Sequence, residues 1–594
     1  MEEVLAEFWE EVCKSVKLAV LTEDKAEKFF EKNIWLDKSS FLEICGRYEY
    51  PDKPITIITE EPYIDAAYRD IYYNYWAKFH FDWPRHCRRI FLFQGAHTPD
   101  EVFGDLSEDF LGTIVIRPSY SGETSHTFGK TLLNPYKMIL KDSEGNLHPA
   151  FEYLKTTHYS VHLLGNTYTI RAFPFSSQDG VAMKCAETAI YELCDYAATS
   201  SALYSRALPS DIQRILKQRV PERLLPSRGL YCNDISFALK ELGFSPMIYV
   251  ETSDSDRTES AISDLEYESR IGLISTHADH KLASLEDSET RLWDKKHCTS
   301  FRNWFHYYVE SGIPLLMITS PNQLSNKHAA LVVGHGKKQR YICDCKIYQL
   351  GQFPCIDTAD LYEDYIVQDD NQIPYKEEKM DKFTQKGNYR LDAFIVPLDR
   401  HVFLDAPSAV SICDTYITFA DETIEDALSY LANFYQKYAE EQEDEEDKEQ
   451  CLSMIEASTV SENNPITVRY YLADSTAYKN FRINSGILKE DMMFYADIPM
   501  PKAIWAAEIS TYELYKLGYI LSEVVLDATA SNQSKLHGII LFRTSHLGVY
   551  RLPSESYDII KNGLDGKTNY NSLSSLFPSF SNFSIDEVER NHIE

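Results

Sequence analysis

The stretch PFSSQDGVAMKCAETAIYELC, residues 174–194, decides how the rest of this chain is read. Gln178-Asp179-Gly180 has the chemistry of a turn. Behind it Ala186, Ala189, Ile190, Leu193 and Ala197 recur at helical spacing, which predicts a helix over 183–198 buried along one face. Cys185 then falls in the first turn of that helix, where unpaired backbone N–H groups and the macrodipole favour thiolate over thiol. Gln178 lies on the turn leading in, where its amide can donate a hydrogen bond to an oxyanion beside the Cys185 N–H.

A thiolate nucleophile needs a base, and the base needs a group to orient it. Among 17 histidines, His328 stands out because it opens the strand-like run HAALVVG (328–334) directly after the polar turn 322–327. A histidine at a strand's start can project into a cleft while the residues behind it fill a core. Two orienting groups are open at this point. Asp344 ends the next expected strand, 340–344, within reach of an adjacent antiparallel partner. Asp369 and Asp370 follow another short strand, 365–368, in YIVQDDNQIPY (365–375).

Taken together, PFSSQDGVAMKCAETA, HAALVVGHG and YIVQDDNQIPY resemble the motifs of the papain-like cysteine peptidases, nearest the bacterial C39-like group. The resemblance covers about 173–400, and GTIVIRP (112–118) is similar to text in that group's N-terminal region. It implies an α+β, papain-like fold in which a helix carrying the cysteine packs on an antiparallel sheet carrying the histidine and aspartate. It further implies a thiol-dependent attack on an amide carbonyl of a protein or peptide substrate. Cys185 would be nucleophile, His328 base, Asp370 or Asp369 orienter, and Gln178 part of the oxyanion hole, with no metal or organic cofactor. Ile373 stands where the group often has Gly. A protein that keeps the fold and binds peptides without cutting them is the alternative, and deamidation or acyl transfer through the same thioester is a third reading.

The surroundings frame this expectation. The 594 residues suggest several domains, read as an N-terminal α+β region (1–165), a catalytic domain (166–410) and a C-terminal α+β region (411–594) that can pack as its extension. In the first, Val4, Leu5, Phe8, Val12, Val16 and Leu18 give a helical apolar stripe, and an aromatic-rich helix is expected over 63–81. In the last, a long helix over 424–458 carries the acidic run 440–447, read as a solvated face or a helix-to-loop bulge rather than a partner site. The net charge of −32 argues against general nucleic-acid binding, which needs Lys and Arg to neutralise phosphates. No apolar run reaches the roughly 18–20 residues needed to cross a bilayer, and the acidic N-terminus argues against export. The 12 scattered cysteines then read as reduced thiols of a cytoplasmic protein.

Other constellations carry less. Cys343, Cys345 and Cys355, with His328 and His335 nearby, lack the C-x₂₋₄-C pair of a zinc site. His277, Asp279 and His280 share a polar loop without distant partners. Phe128-Gly129-Lys130-Thr131 ends like a phosphate-binding loop, but Thr124 stands where the first glycine is required.

Overall fold

Along Cys87–Gln94 the side chains alternate between two cores: Ile90 and Leu92 face one, Phe91 and Phe93 the other. This period of two is what a strand buried on both faces requires. Cys87–Gln94 is the middle strand of a five-stranded antiparallel sheet in the order Val16–Leu21, Ile55–Tyr63, Cys87–Gln94, Phe110–Ile116, Phe128–Leu133. One face packs against the hairpin Thr157–Leu163/Asn166–Ala172 through Tyr168 and Ile170. The turn of that hairpin holds Leu164 and Gly165 at φ +50° and +90°, the pair of positive values a two-residue hairpin loop demands.

The computed structural model describes residues 15–118, 128–141, 147–220, 224–251, 300–321, 327–336, 341–380, 389–442, 444–485, 488–530, 538–544, 548–550, 569–570 and 576–583. Val4, Leu5, Phe8 and Val12 of the expected N-terminal stripe lie outside them, as do His277, Asp279, His280 and Thr124. The described end of that stripe is corrected: Val16 and Leu18 belong to an edge strand, where their β-branched and apolar neighbours pair with Ile55–Tyr63. The aromatic helix is also shorter than expected, Ala66–Asn74, because the Asp65 side chain caps its start by accepting from Tyr68 N–H at 2.8 Å.

The architecture is mixed α+β, and the described residues divide into two compact units. The first takes those within 1–274, 314–337 and 364–397; the second takes those within 275–313, 338–363 and 398–594. In the first unit a second sheet runs Ser245–Val250, Tyr389–Leu398, Leu315–Pro321, His328–His335, Asp364–Gln368, Lys376–Lys379. Tyr153–Leu154 adds to His328–His335, so closely that a Cβ at Gly334 would stand 2.0 Å from the Tyr153 carbonyl oxygen. Glycine is the side chain that fits there. The helix Cys185–Ser200 packs on His328–His335 and Thr157–Leu163 and against the helices Pro209–Leu216 and Cys232–Glu241. It is therefore buried on all sides from Ala186 to Ala197 rather than along one face. One continuous core joins Ile190 and Leu193 of this helix to Leu331, Val333, Ile366 and Ile395 of the sheet. Each such fully buried side chain contributes about 1.5–3 kcal/mol.

The second unit is built on an eight-stranded sheet, Tyr348–Leu350, Phe353–Asp357, Ile466–Asp474, Ala503–Thr511, Ser522–Asp527, Ile539–Arg543, Gly548–Tyr550, Asn569–Tyr570. The expected long helix is two, Asp421–Glu441 and Glu445–Ala457. Asp444 accepts from Glu446 N–H at 2.9 Å, and Glu445, Glu446 and Asp447 fill the first turn of the second helix, where negative charge complements the dipole. The acidic run thus interrupts a helix and starts another. Among the described residues no helix is long and apolar enough to cross a membrane.

Candidate functional site

The loop before the cysteine helix is tied by one carboxylate. Asp179 Oδ1 accepts from the N–H groups of Val181, Ala182 and Met183 at 2.9, 2.7 and 2.8 Å. The N–H groups of Asp179 and Gly180 donate back to Met183 O, with Gly180 at φ +69°. The helix opens at Cys185, and Lys184 at its N-cap supplies no side-chain hydrogen bond. The Glu187 carboxylate engages the N–H groups of Lys184 and Glu187, which leaves those of Cys185 and Ala186 in the first turn. Cys185 is partly exposed, while Cys194 on the same helix is 2% exposed and burial pushes its thiol up to about 12.

His328 begins its strand, and the neighbouring antiparallel strand Asp364–Gln368 delivers Asp369 and Asp370 just beyond its end. His328 Nε2 lies 2.9 Å from Asp369 Oδ1 and 3.7 Å from Asp370 Oδ1. The Cys185 side chain also acts on this ring. Burial works against the charged ring, but the bond to Asp369, the Cys185 side chain and the two aspartate charges raise His328 to about 11. Cys185, His328 and Asp369 thus come together, with the His328 ring bonded to Asp369 at 2.9 Å and acted on by Cys185. Asp369 is held below the usual carboxylate range: burial opposes this, and His328, Asn371 N–H and Gln372 outweigh it. Asp370 goes the other way, up to about 7, through burial and the Asp369 charge despite His328.

The remaining expected residues divide. Gln178 Nε2 donates to Asn371 Oδ1 at 2.6 Å, so the glutamine is tied to the aspartate loop, with one amide hydrogen still uncommitted. Asp344 is corrected: of the expected strand 340–344, the described residues 341–344 form no strand. Ile342–Asp344 is a single 3-10 turn with Asp344 exposed, in the second unit, so no adjacent strand carries it to His328. Tyr-Ile-Cys has strand composition, but the turn is closed by Asp344 and Cys345 N–H groups bonding back to Tyr341 and Ile342. Cys343 is exposed in that turn and Cys355 is fully buried on Phe353–Asp357. Lys130 of the rejected phosphate-loop text sits on a strand and pairs with Asp195 at 2.6 Å.

Several site residues escaped the sequence reading. Tyr375 adopts φ +57°, uncommon for a bulky side chain. It is held there from three directions: its N–H donates to Gln368 Oε1 at 2.9 Å, its hydroxyl accepts from Phe173 N–H at 2.8 Å, and Arg47 donates to its carbonyl at 3.0 Å. The loop presenting Asp369 is therefore clamped at its far end. Glu192, 2% exposed, accepts from Ser176 N–H at 2.6 Å and fixes the cysteine helix to the incoming chain. Glu187, 6% exposed, accepts from the Ser227 hydroxyl. A carboxylate at a position whose helical neighbours are apolar was the signal available for both.

Metal-capable atoms of His328, Asp369 and Asp370 lie within 4.8 Å of one another. Comparison of the chain with protein-family models gives no match, and comparison with curated proteins gives none either.

Proposed function

We propose that this chain is a thiol-dependent hydrolase of amide bonds, a papain-like cysteine peptidase acting on protein or peptide substrates. The reading is carried by the grouping of Cys185, His328 and Asp369, with Nε2 committed to Asp369 at 2.9 Å and Cys185 acting on the same ring. His328, held by two carboxylates beside a sulfur at a helix start, takes the thiol proton, the role a thiol nucleophile requires of its base. The thiolate attacks the carbonyl carbon, and the oxyanion that forms is met by the N–H groups of Cys185 and Ala186 and the free amide hydrogen of Gln178. His328 gives its proton to the leaving amine, and the acyl group stays on sulfur as a thioester. His328 then takes a proton from water, the hydroxide attacks, and the acid leaves with the thiolate restored.

Alkylation with iodoacetamide at pH 6–7 tests this. Cys185 is expected to label far faster than Cys194, and the advantage is expected to vanish in His328→Ala. Labelling of Cys185 no faster than Cys194 would instead describe a binding module. Peptide products made by the wild type and absent with Cys185→Ala, read by mass, separate hydrolysis from transfer.

A further inference from the structure

The charge around His328 does not balance. Asp369, Asp370, Glu187 and Glu192 are all buried or half-buried, and Glu187 acts on Asp370 as Asp369 and Asp370 act on Glu192. Against these stand His328 and, beside Glu187, Lys184. Asp370 is the sharpest case. It is 4% exposed, neither of its carboxylate oxygens has a hydrogen-bond partner, and Oδ1 is aimed at His328 Nε2 from 3.7 Å. A buried carboxylate without partners costs several kcal/mol unless something positive meets it.

We infer that His328, Asp369 and Asp370 form a binding site for a divalent transition metal of the Zn²⁺ class, which switches off the thiol chemistry proposed above. Two ligand atoms each about 2.1 Å from a tetrahedral ion stand about 3.4 Å apart. The 2.9 and 3.7 Å separations from Nε2 bracket that value, and all three ligand atoms fall within 4.8 Å. One imidazole with two carboxylates selects Zn²⁺ over Mg²⁺, which prefers six oxygens and keeps its waters. The ion takes the Nε2 lone pair, displaces its proton to solvent and replaces the bond to Asp369. The other ring nitrogen keeps its hydrogen. Passing that hydrogen to a leaving amine would leave an imidazolate, so acyl transfer stops while the sulfur stays nucleophilic. The metal site stands on geometry alone; its inhibitory consequence rests on the peptidase reading.

The test titrates Zn²⁺ into the metal-stripped full chain against a chromophoric chelator, with Cys343→Ser/Cys345→Ser as the background for other thiols. One ion per chain is expected to bind, unchanged in Cys185→Ala and at least about tenfold weaker in Asp370→Asn, since even outer-shell partners are worth that much. Zn²⁺-loaded wild type is expected to alkylate Cys185 near the metal-free rate while peptide cleavage is lost. Should Asp370→Asn fail to fold by circular dichroism, Co²⁺ loading of the wild type decides instead, with no thiolate-to-metal charge-transfer band expected. Unchanged affinity in Asp370→Asn, loss of binding in Cys185→Ala, protection of Cys185 by Zn²⁺, or a thiolate band with Co²⁺ would each overturn the site. Alkylation of the metal-free protein judges the peptidase reading separately.

Discussion

Two regions of this molecule bury several charges, and they do so in opposite ways. In the second unit Arg469 donates to Glu310 at 2.7 Å and Glu508 at 2.8 Å, and Arg482 donates to Glu508 at 2.6 Å and Glu523 at 2.8 Å. Arg543 donates to Asp491 at 2.7 Å and to the Tyr495 hydroxyl at 2.7 Å. Each carboxylate there meets a guanidinium fork. Glu508 is accordingly held below its ordinary range: burial pushes it up, but Arg469 and Arg482 outweigh that. Around His328 the carboxylates outnumber the cations, and Asp370 rises to about 7 through burial and Asp369. Glu508 and Asp370 are 2% and 4% exposed, so burial does not separate them; partners do. Paired buried charge holds a fold together. A buried carboxylate such as Asp370, without hydrogen bonds and sharing His328 with Asp369 from 3.7 Å, is a store of free energy that a proton, a substrate or an ion can release.

The largest expected break in this comparison is Arg482→Met, which takes from Glu523 its guanidinium and leaves Glu508 with Arg469 alone, and it should cost about 3–5 kcal/mol, read as a fall in the denaturant midpoint of the second unit. Next, His328→Ala should slow Cys185 alkylation at pH 7 by about a hundredfold and lower the midpoint at neutral pH, where the wild-type ring is still charged. Because the folded ring titrates at about 11, above its unfolded value, its contribution to stability is complete below about pH 6.5 and is lost as pH rises through about 11. The variant should therefore lose the alkaline limb of the midpoint-against-pH curve.

A smaller effect of opposite sign is expected from Asp370→Asn. The folded carboxyl, raised to about 7, binds its proton more tightly than the unfolded one, so stability falls as pH rises from about 4 through 7. The amide removes that fall. The thermal midpoint should rise at pH 8, by an amount on the order of 1–2 kcal/mol, and stay unchanged at pH 4. A loss at pH 8 would mean that Asp370 is paired and the contrast with Glu508 is false. Smallest, Asn371→Ala frees Gln178 and should lower kcat/KM on a peptide by about three- to tenfold, the worth of one net hydrogen bond. Cys185 alkylation, which forms no oxyanion, should not change.

Much of this was written locally. The helix opening at Cys185, the strand opening at His328 and the aspartates after Gln368 follow from periodicity and turn chemistry within a dozen residues. The same local signals misread Val16 and Leu18, because two apolar residues at spacing two fit the end of a helical stripe as well as an edge strand. They also misread 340–344, where strand-like composition closes into one turn around Asp344.

The sequence by itself determined which residues could do chemistry and on what kind of element each would sit, since those depend on neighbours a few positions away. Tertiary structure decided which aspartate meets His328, because that is set by the register of His328–His335 against Asp364–Gln368. It also decided that Gln178 would be tied to Asn371, that Arg469, Arg482 and Arg543 would answer Glu310, Glu508, Glu523 and Asp491, and that Asp370 would keep no hydrogen-bond partner. Charge balance in a core is a sum over atoms brought together from hundreds of residues apart, and no window along the chain contains it.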